Sequence, residues 1–364
     1  MNASIPRPVD DGPCTALVTG FPTLLGRGLV LRGLNLRPDN RVSMLVGAAE
    51  VEDAEAFVAD LTDAQRARVE LLVGNPDGMD LGLAGEAVVG LLDRVTHVFH
   101  AGHASMERAR PVANARRLDA VLQLAAEMKR LKRVAVFSTA FVSGDRSGVV
   151  LEEELDAGQR LRTPFERSMF DLERLARSAM PRLPITVLRP SAMIGHSRTG
   201  EVCDVSEGPT YLMSLMVRLP AEMPILLPGT GVVPFNIVPV DYVVHAAWAL
   251  ATDPAGTGRT FHLTDPNPVS ARKAFDLLSA RINRPAPFAG RLATRLVGRT
   301  LRLPGLRRLA PARIALFEDL TTHVTYSCAN TLDLLAGRGV VCPPFESYAE
   351  TLVAWLAAFE REKR

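Results

Sequence analysis

Residues 18–27 read Val18-Thr19-Gly20-Phe21-Pro22-Thr23-Leu24-Leu25-Gly26-Arg27. The apolar run Thr15–Thr19 predicts a buried strand, and the amphipathic pattern over about residues 24–34 predicts a helix after it. A glycine-rich turn at such a junction lets the backbone approach a pyrophosphate, and the helix N-terminus contributes the positive end of its dipole. The stretch therefore predicts a dinucleotide-binding loop formed by Gly20, Thr23, Leu24, Leu25 and Gly26. The alternative is that the two glycines only permit a tight turn and close helix packing.

The alternation of strands and helices continues through the first half of the chain. Apolar runs predict strands at 41–46, 69–73, 95–100, 133–138 and 185–189, and helical patterns occupy 84–92, 107–130 and 163–179. Continuous apolar strands that alternate with helices are typical of a parallel sheet covered on both faces. The predicted fold class is α/β, a Rossmann-like doubly wound parallel sheet with a smaller, mostly helical C-terminal substrate lobe.

The regular alternation of strands and helices is interrupted after Pro190, where glycine, proline and charged residues become frequent. We expect a helix at 242–252 with Asp241 as its N-cap, a strand at 260–263, and mostly helix from residue 268 onward. The domain prediction assigns 14–195 and 235–264 to a dinucleotide-binding lobe. Residues 196–234 and 265–364 are assigned to the substrate lobe.

Composition excludes several classes of protein. Of the 364 residues, 47% are hydrophobic and 23% are charged, and the formal charge of +2 is too small to indicate a nucleic-acid partner. The four cysteines show no CxxC spacing, so neither a metal site nor a disulfide framework is expected. No run of about 18 apolar residues predicts a transmembrane segment, and the N-terminus lacks the apolar stretch of a secretory signal. We therefore expect a cytoplasmic protein.

Four further motifs resemble the extended short-chain dehydrogenase/reductase superfamily. They are Val98-Phe99-His100-Ala101-Gly102, the run FSTAFVSG at 137–144, Val187-Leu188-Arg189-Pro190 and the run NIVPVDYV at 236–243. The likeness covers roughly residues 14–264. Within the superfamily, which includes NAD-dependent epimerases, the stretches VSGDRSG and GHSRTGE are most similar to the fatty acyl-CoA reductase and thioester-reductase branch.

The resemblance implies NADP or NAD as cofactor, contacted by His100, Ala101, Gly102, Asn114, Arg189 and Pro190 in addition to the glycine-rich loop. It also implies that Thr139 supplies the hydroxyl that bonds the substrate carbonyl. Five positions depart from the family pattern around the same cleft: Thr23, Gly47, Asn75, His103 and Arg117. Near Gly47 the second strand ends without the arginine or the acid that reads the adenine ribose. These departures predict an altered nucleotide site.

Two further departures remove the acid–base pair. The family carries a tyrosine and, four residues later on the same helical face, a lysine that lowers its pKa. Here these positions are Phe165 and Met169, and none of the four tyrosines is followed by lysine at the fourth position. The alternative is a different alignment of the helix. The residues that could replace the lost proton donor are His103 and Tyr211, followed by His196 and Glu166.

A basic stretch extends from Arg284 to Arg313, with eight arginines and no acidic residue. Arg291, Arg295, Arg299 and Arg302 share one helical face. Such a stripe could bind an acidic carrier protein, a CoA phosphate or an anionic membrane surface, and the alternative is a solvated helix face.

The leading expectation is a degenerate member of the superfamily that binds NAD(P) and a lipophilic or acyl-type small molecule, linked to CoA or an acyl carrier. Its redox chemistry is non-standard or absent, in a specialised metabolic role. Two alternatives stay open: an active reductase with a substitute proton donor, and a non-enzymatic nucleotide-binding sensor or scaffold. A homodimer is a family-level expectation.

Overall fold

A seven-stranded parallel sheet lies at the centre of the computed structural model, which describes residues 12–102, 113–202, 204–206, 208–219, 225–290, 316 and 318–363. In spatial order the strands are β10 (Thr260–Leu263), β7 (Ile185–Pro190), β5 (Arg133–Phe137), β4 (His97–His100), β1 (Thr15–Thr19), β2 (Arg41–Val46) and β3 (Val69–Val73). Every neighbouring pair is parallel. The order reverses at β1, which lies between β4 and β2, so a crevice is expected at the carboxyl ends of these strands. The predicted fold class is confirmed.

Eleven helices occur in the described part of the chain. They are α1 (Leu24–Leu36), α2 (Val51–Ala59), α3 (Asp63–Arg66), α4 (Gly85–Arg94), α5 (Ala113–Glu127), α6 (Pro164–Ala179), α7 (Gly208–Arg218), α8 (Val240–Ala251), α9 (Ala271–Ile282), α10 (Ala329–Leu335) and α11 (Ala349–Glu362). Helices α1 and α8 pack on one face of the sheet, and α5 and α6 pack together on the other. Because side chains alternate along a strand, Val18 enters the first core and Leu17 the second. Both faces of the sheet are therefore buried.

Helix α6 begins where its sequence indicates. The hydroxyl of Thr163 accepts the backbone N–H of Glu166, and Pro164 takes the first helical position, where its missing N–H leaves no bond unmade. This start determines which residues of α6 face the strand ends.

The start of α8 differs from the prediction. The helix begins at Val240 with Pro239 in the N-cap position, so the expected cap by Asp241 is wrong. The carboxylate of Asp241 instead accepts the backbone N–H and the hydroxyl of Ser197, at 2.8 and 2.6 Å. Asp241 therefore anchors the loop after β8 (Ala192–Gly195) to the helix.

Two small parallel sheets join distant parts of the chain. Strand β6 (Gly148–Val150) pairs with β11 (Val324–Tyr326), and β8 pairs with β9 (Ile237–Pro239). Neither pair was predicted, because strands of three or four residues carry too little periodicity to be read from sequence.

A third core lies beyond the central sheet, where α7, α9 and α11 enclose Ile194, Met213, Phe275 and Leu352. Helix α10, by contrast, packs against α8 and β10 of the central sheet. The proposed boundaries between the two lobes stay a prediction. No described helix has both the length and the apolar composition needed to cross a membrane.

Candidate functional site

The loop between β1 and α1 is closed by Thr23. Its hydroxyl donates to the carbonyl of Gly20 at 2.6 Å and accepts the backbone N–H of Gly26 at 3.0 Å, as the N-cap of α1. Thr23 therefore stabilises the turn itself, and its hydroxyl is already engaged within the loop. Leu24 and Leu25 form the first helical positions after it.

Both glycines of the loop have close backbone neighbours. A Cβ on Gly20 would lie 2.6 Å from the carbonyl oxygen of Ala101, and one on Gly26 would lie 2.6 Å from that of Gly20. Gly20 also has a φ of +108°, which side chains rarely tolerate. The turn thus needs glycine at position 20 to pack against Ala101 and at position 26 to pack against Gly20, and the absence of side chains at both positions lets a ligand approach the backbone closely.

The end of β4 is buried beside this loop. His100 is 1% exposed, and its Nδ1 lies 2.9 Å from the hydroxyl of Thr19 on β1. Since the ring is covered, we expect any contact of His100 with a cofactor to come from its backbone. His103, the next sequence-predicted candidate, lies outside the described residues.

The end of β2 carries an acid that sequence reasoning missed. The carboxylate of Glu50 folds back against the α-carbon of Gly47, on the short turn 48–50 that follows the strand. A Cβ at position 47 would displace this carboxylate from its place. A carboxylate is therefore present near the strand end, although it comes from Glu50, three residues downstream of Gly47.

Two other departures from the family pattern contact one loop. Arg117 on α5 makes a bidentate ion pair with Asp77, at 2.9 and 3.0 Å, and Asn75 accepts the backbone N–H of Asp77. The hydrogen bond from Arg117 holds the pKa of Asp77 below its usual range. Asn75 and Arg117 thus form one local structure next to β3.

A cavity of about 230 Å³ lies at the carboxyl ends of β5 and β7, and is called the Thr139 cavity below. Its wall includes Thr139, Leu25 of the glycine-rich loop and Pro190. Thr139 is 6% exposed; its hydroxyl accepts the backbone N–H of Phe141 at 3.3 Å and is 3.4 Å from the carbonyl of Pro190. The cavity therefore joins the predicted cofactor loop to the predicted substrate hydroxyl.

Phe165 and Met169 both line the Thr139 cavity. Met169 is 1% exposed, and its sulfur accepts the side-chain amide of Asn114 at 3.3 Å. The structure thus brings together Thr139, Asn114 and positions 165 and 169, at which the family resemblance predicts a tyrosine and a lysine. Neither phenyl nor thioether can release a proton at neutral pH.

Two sequence-predicted residues are placed elsewhere. Tyr211 is half-buried on α7, and its neighbour Thr210, not Tyr211, lines the cavity. The side chain of Arg189 is fully buried in an ion pair with Glu173 at 2.7 Å, and it also donates to the backbone carbonyls of Glu152 and Glu154. Burial opposes ionisation of Glu173, but Arg189 holds its pKa below the usual range. Arg189 therefore stabilises the fold beneath the site.

Most of the acidic residues on the cavity wall were not predicted from the sequence. Glu166 and Asp319 line it, and both bind the buried guanidinium of Arg162, at 2.9 and 2.8 Å. Burial raises the pKa of Glu166 and of Asp319, although Arg162 opposes the shift. Glu166 neighbours Phe165 in sequence, but no local pattern places residue 319 here.

One cavity residue has an unsatisfied hydroxyl. Ser191 is 4% exposed, and no described residue pairs with its Oγ. Ser138, next to Thr139, instead donates to Glu173 at 2.7 Å. Buried hydroxyls are normally hydrogen-bonded, so Ser191 lacks a partner that a bound molecule would supply.

The residues present fit a dinucleotide. The glycine cradle admits a pyrophosphate at the N-terminus of α1, and Glu50 supplies an acceptor at the end of β2. No group of acidic, histidine or cysteine side chains in the described residues has the arrangement of a metal site.

Comparison with known proteins matches residues 18–247 to an NAD-binding family model described as "Male sterility protein". Glycine betaine reductase of Emericella nidulans is 26% identical over 284 residues, which are 72% of this chain and 22% of that protein. A Drosophila melanogaster protein named as a fatty acyl-CoA reductase is 21% identical over 322 residues, 74% of this chain and 59% of that protein. The chain thus spans about a fifth and about three fifths of these relatives.

Among solved structures, the fold is similar to the terminal R domain from the myxalamid PKS-NRPS biosynthetic pathway. The TM-score is 0.76 at 24% identity, with 98% of this chain and 93% of that chain covered. At this identity the similarity establishes the fold.

Proposed function

Because the chain belongs to the male sterility protein family of NAD(P)-binding reductases, we propose that it binds a nicotinamide dinucleotide and an acyl-type small molecule without the tyrosine–lysine proton relay. Membership of the extended short-chain dehydrogenase/reductase superfamily is confirmed. The observation that carries the proposal is the position of Phe165 and Met169 on the wall of the Thr139 cavity. They lie there with Thr139 and Leu25, beside the glycine-rich loop.

The chemistry follows from what each side chain can do. A bound reduced nicotinamide supplies a hydride in this superfamily. Thr139 can hold a carbonyl oxygen by hydrogen bond, but Phe165 cannot protonate the oxygen, and Met169 has no charge with which to stabilise its negative form. Loss of a positioned proton donor typically lowers a rate by about 10²–10⁴. Carbonyl reduction by this protein is therefore slow or absent.

The substrate proposed for the cavity is a short acyl group on a thioester, or the corresponding aldehyde. One relative is named as a fatty acyl-CoA reductase and another as glycine betaine reductase, which supports an acyl substrate. A volume of about 230 Å³ is below the roughly 300–1,000 Å³ typical of sites for drug-sized ligands. The walls formed by described residues therefore favour a short chain.

The proposed cofactor is NAD in preference to NADP. The carboxylate of Glu50 at the end of β2 can accept hydrogen bonds from ribose hydroxyls, and it would repel a 2′-phosphate. A thermal-shift series with NAD⁺, NADH, NADP⁺ and NADPH tests cofactor binding directly. No shift with any of the four at millimolar concentration contradicts the proposal.

Restoring the lost pair tests the chemistry. The double variant Phe165→Tyr with Met169→Lys is expected to reduce short aldehydes at least about 10²-fold faster than the wild type, because it returns a proton donor to the cavity. Oxidation of NADH or NADPH is followed by absorbance, and the two single variants serve as controls. If the wild type reduces these aldehydes at a rate within tenfold of that of the double variant, another group must transfer the proton.

A further inference from the structure

Building on the function proposed above, we propose that the Thr139 cavity binds an acyl-type molecule that carries a positive charge, an ammonium or quaternary ammonium group held by Glu166 and Asp319. The acyl oxygen of the same molecule would lie at Thr139 and Ser191. A purely lipophilic site would reject such a substrate.

The charges on the wall support this assignment. Glu166, Asp319 and Asp204 line the cavity, and none of its described lining residues is lysine, arginine or histidine. One buried guanidinium, that of Arg162, contacts Glu166 and Asp319. Arg162 carries one positive charge against these three carboxyl groups, so the wall is negative when at least two of them are ionised.

The hydrogen bonds leave one acceptor open. Both oxygens of Glu166 are engaged by Arg162, through the backbone N–H at 2.6 Å and the guanidinium at 2.9 Å. Asp319 gives Oδ1 to the same guanidinium at 2.8 Å, whereas no described residue donates to its Oδ2. The Asp319 side chain is 31% exposed, so this oxygen is open to solvent in the cavity, and a ligand cation would replace that solvent as its partner.

The remaining wall suits the body of such a cation. Phe137, Phe141 and Phe165 line the cavity, and aromatic faces attract ammonium groups. Met169 and Met193 provide apolar contacts for methyl groups. Phenylalanine at position 165 therefore adds an aromatic face where the superfamily has a proton donor.

A second observation points independently to a ligand. Ser191 is 4% exposed, and no described residue forms a hydrogen bond with its hydroxyl. It lines the same cavity as the acidic wall. A molecule with a cation at one end and a carbonyl or hydroxyl oxygen at the other could pair with the acidic wall and with the hydroxyl of Ser191.

Calorimetry with three matched alcohols tests the inference without requiring turnover. The cation is 4-(trimethylammonio)butan-1-ol, its neutral isostere is 5,5-dimethylhexan-1-ol, and the anion is 5-hydroxypentanoate. Each is titrated into the full chain with and without NAD⁺. We expect the cation to bind at least about tenfold more tightly than the isostere, and the anion to bind most weakly. Equal or tighter binding of the neutral alcohol or the anion overturns the inference.

Variants then locate the charge that is responsible. Glu166→Gln with Asp319→Asn is expected to abolish the preference for the cation, whereas Glu346→Gln, an exposed acid that is not on the cavity wall, should preserve it. An unchanged preference in the double variant also overturns the inference. If the double variant does not fold, the affinities of the wild type for the three alcohols still test the inference. The thermal-shift series with dinucleotides distinguishes the two proposals, because cofactor binding with preference for the neutral alcohol leaves the proposed function intact.

Discussion

Phe165 and Met169 lie on the wall of the same cavity. Met169 is 1% exposed and contacts the amide of Asn114. A lysine ammonium buried at this position beside Phe165 would have no tyrosine oxygen as a partner, and an unpaired buried charge is costly. Methionine keeps the unbranched shape and removes the charge. Methionine at position 169 therefore suits a cavity in which position 165 offers no hydroxyl.

Glu50 carries the prediction for cofactor preference at the residue scale. Glu50→Gln removes the negative charge at the end of β2 and is expected to raise the affinity for NADP⁺ relative to NAD⁺ by about tenfold, or about 1.4 kcal/mol. Dissociation constants from calorimetry measure the ratio. Glu52→Gln, an exposed acid on α2, is the matched control. Tighter binding of NADP⁺ than of NAD⁺ by the wild type would contradict the assignment.

At the scale of elements, the turn from β1 to α1 depends on close backbone contact. A Cβ on Gly26 would lie 2.6 Å from the carbonyl oxygen of Gly20, and neither group can move without opening the turn. Gly26→Ala is therefore expected to lower the free energy of unfolding by about 1–3 kcal/mol and to weaken dinucleotide binding. Denaturant unfolding measures the first effect and thermal shift the second.

Gly85→Ala is the control for this variant. Gly85 begins α4, and a Cβ there would meet no atom within 4 Å. The substitution is expected to stabilise the protein by about 0.4–1 kcal/mol, because it lowers the entropy of the unfolded chain. Equal effects of the two variants would show that the turn tolerates a side chain.

At the scale of the whole molecule, a buried network joins the sheet to the C-terminal part of the chain. Nε2 of His262 on β10 lies 3.2 Å from Nη1 of Arg189, and its Nδ1 lies 2.8 Å from the carbonyl of Ser327. The carboxylate of Glu152 accepts the backbone N–H groups of His262 and Asn330. These contacts connect β7, β10 and the start of α10.

His262 makes the stability of this network dependent on pH. Burial, reinforced by the charge of Arg189, lowers its pKa to about 3. Because the unfolded value is about 6.5, the folded state binds fewer protons between these limits. Its contribution to stability is complete above about pH 6.5 and is lost as the pH falls toward 3.

Replacing the imidazole measures this contribution. His262→Gln should reduce the slope of unfolding free energy against pH by up to about 1.4 kcal/mol per unit below pH 6.5. Denaturant titrations between pH 4.5 and 7.5 give the slope, and the exposed His323→Gln is the control. Identical slopes in the wild type and His262→Gln would contradict the shifted pKa.

Local sequence determined the strand–helix alternation, the glycine-rich turn and the apolar pair at positions 165 and 169. Each of these depends on neighbours within a few residues, because periodicity and backbone sterics act over that range. The seven central strands and the start of α6 were predictable for this reason.

Tertiary structure alone decided the features that join distant residues. Only in the folded chain do Asp319 and Glu166 line one cavity and the Glu50 carboxylate contact Gly47. The pairing of β6 with β11 and the hydrogen bond from Ser197 to Asp241 also join residues far apart in sequence. The side chain of Arg189 forms an ion pair with Glu173, whereas the family resemblance had suggested a cofactor contact. These contacts depend on how helices and loops pack around the sheet. The spacing of residues along the chain does not record that packing, because burial and charge pairing are satisfied only when the elements meet.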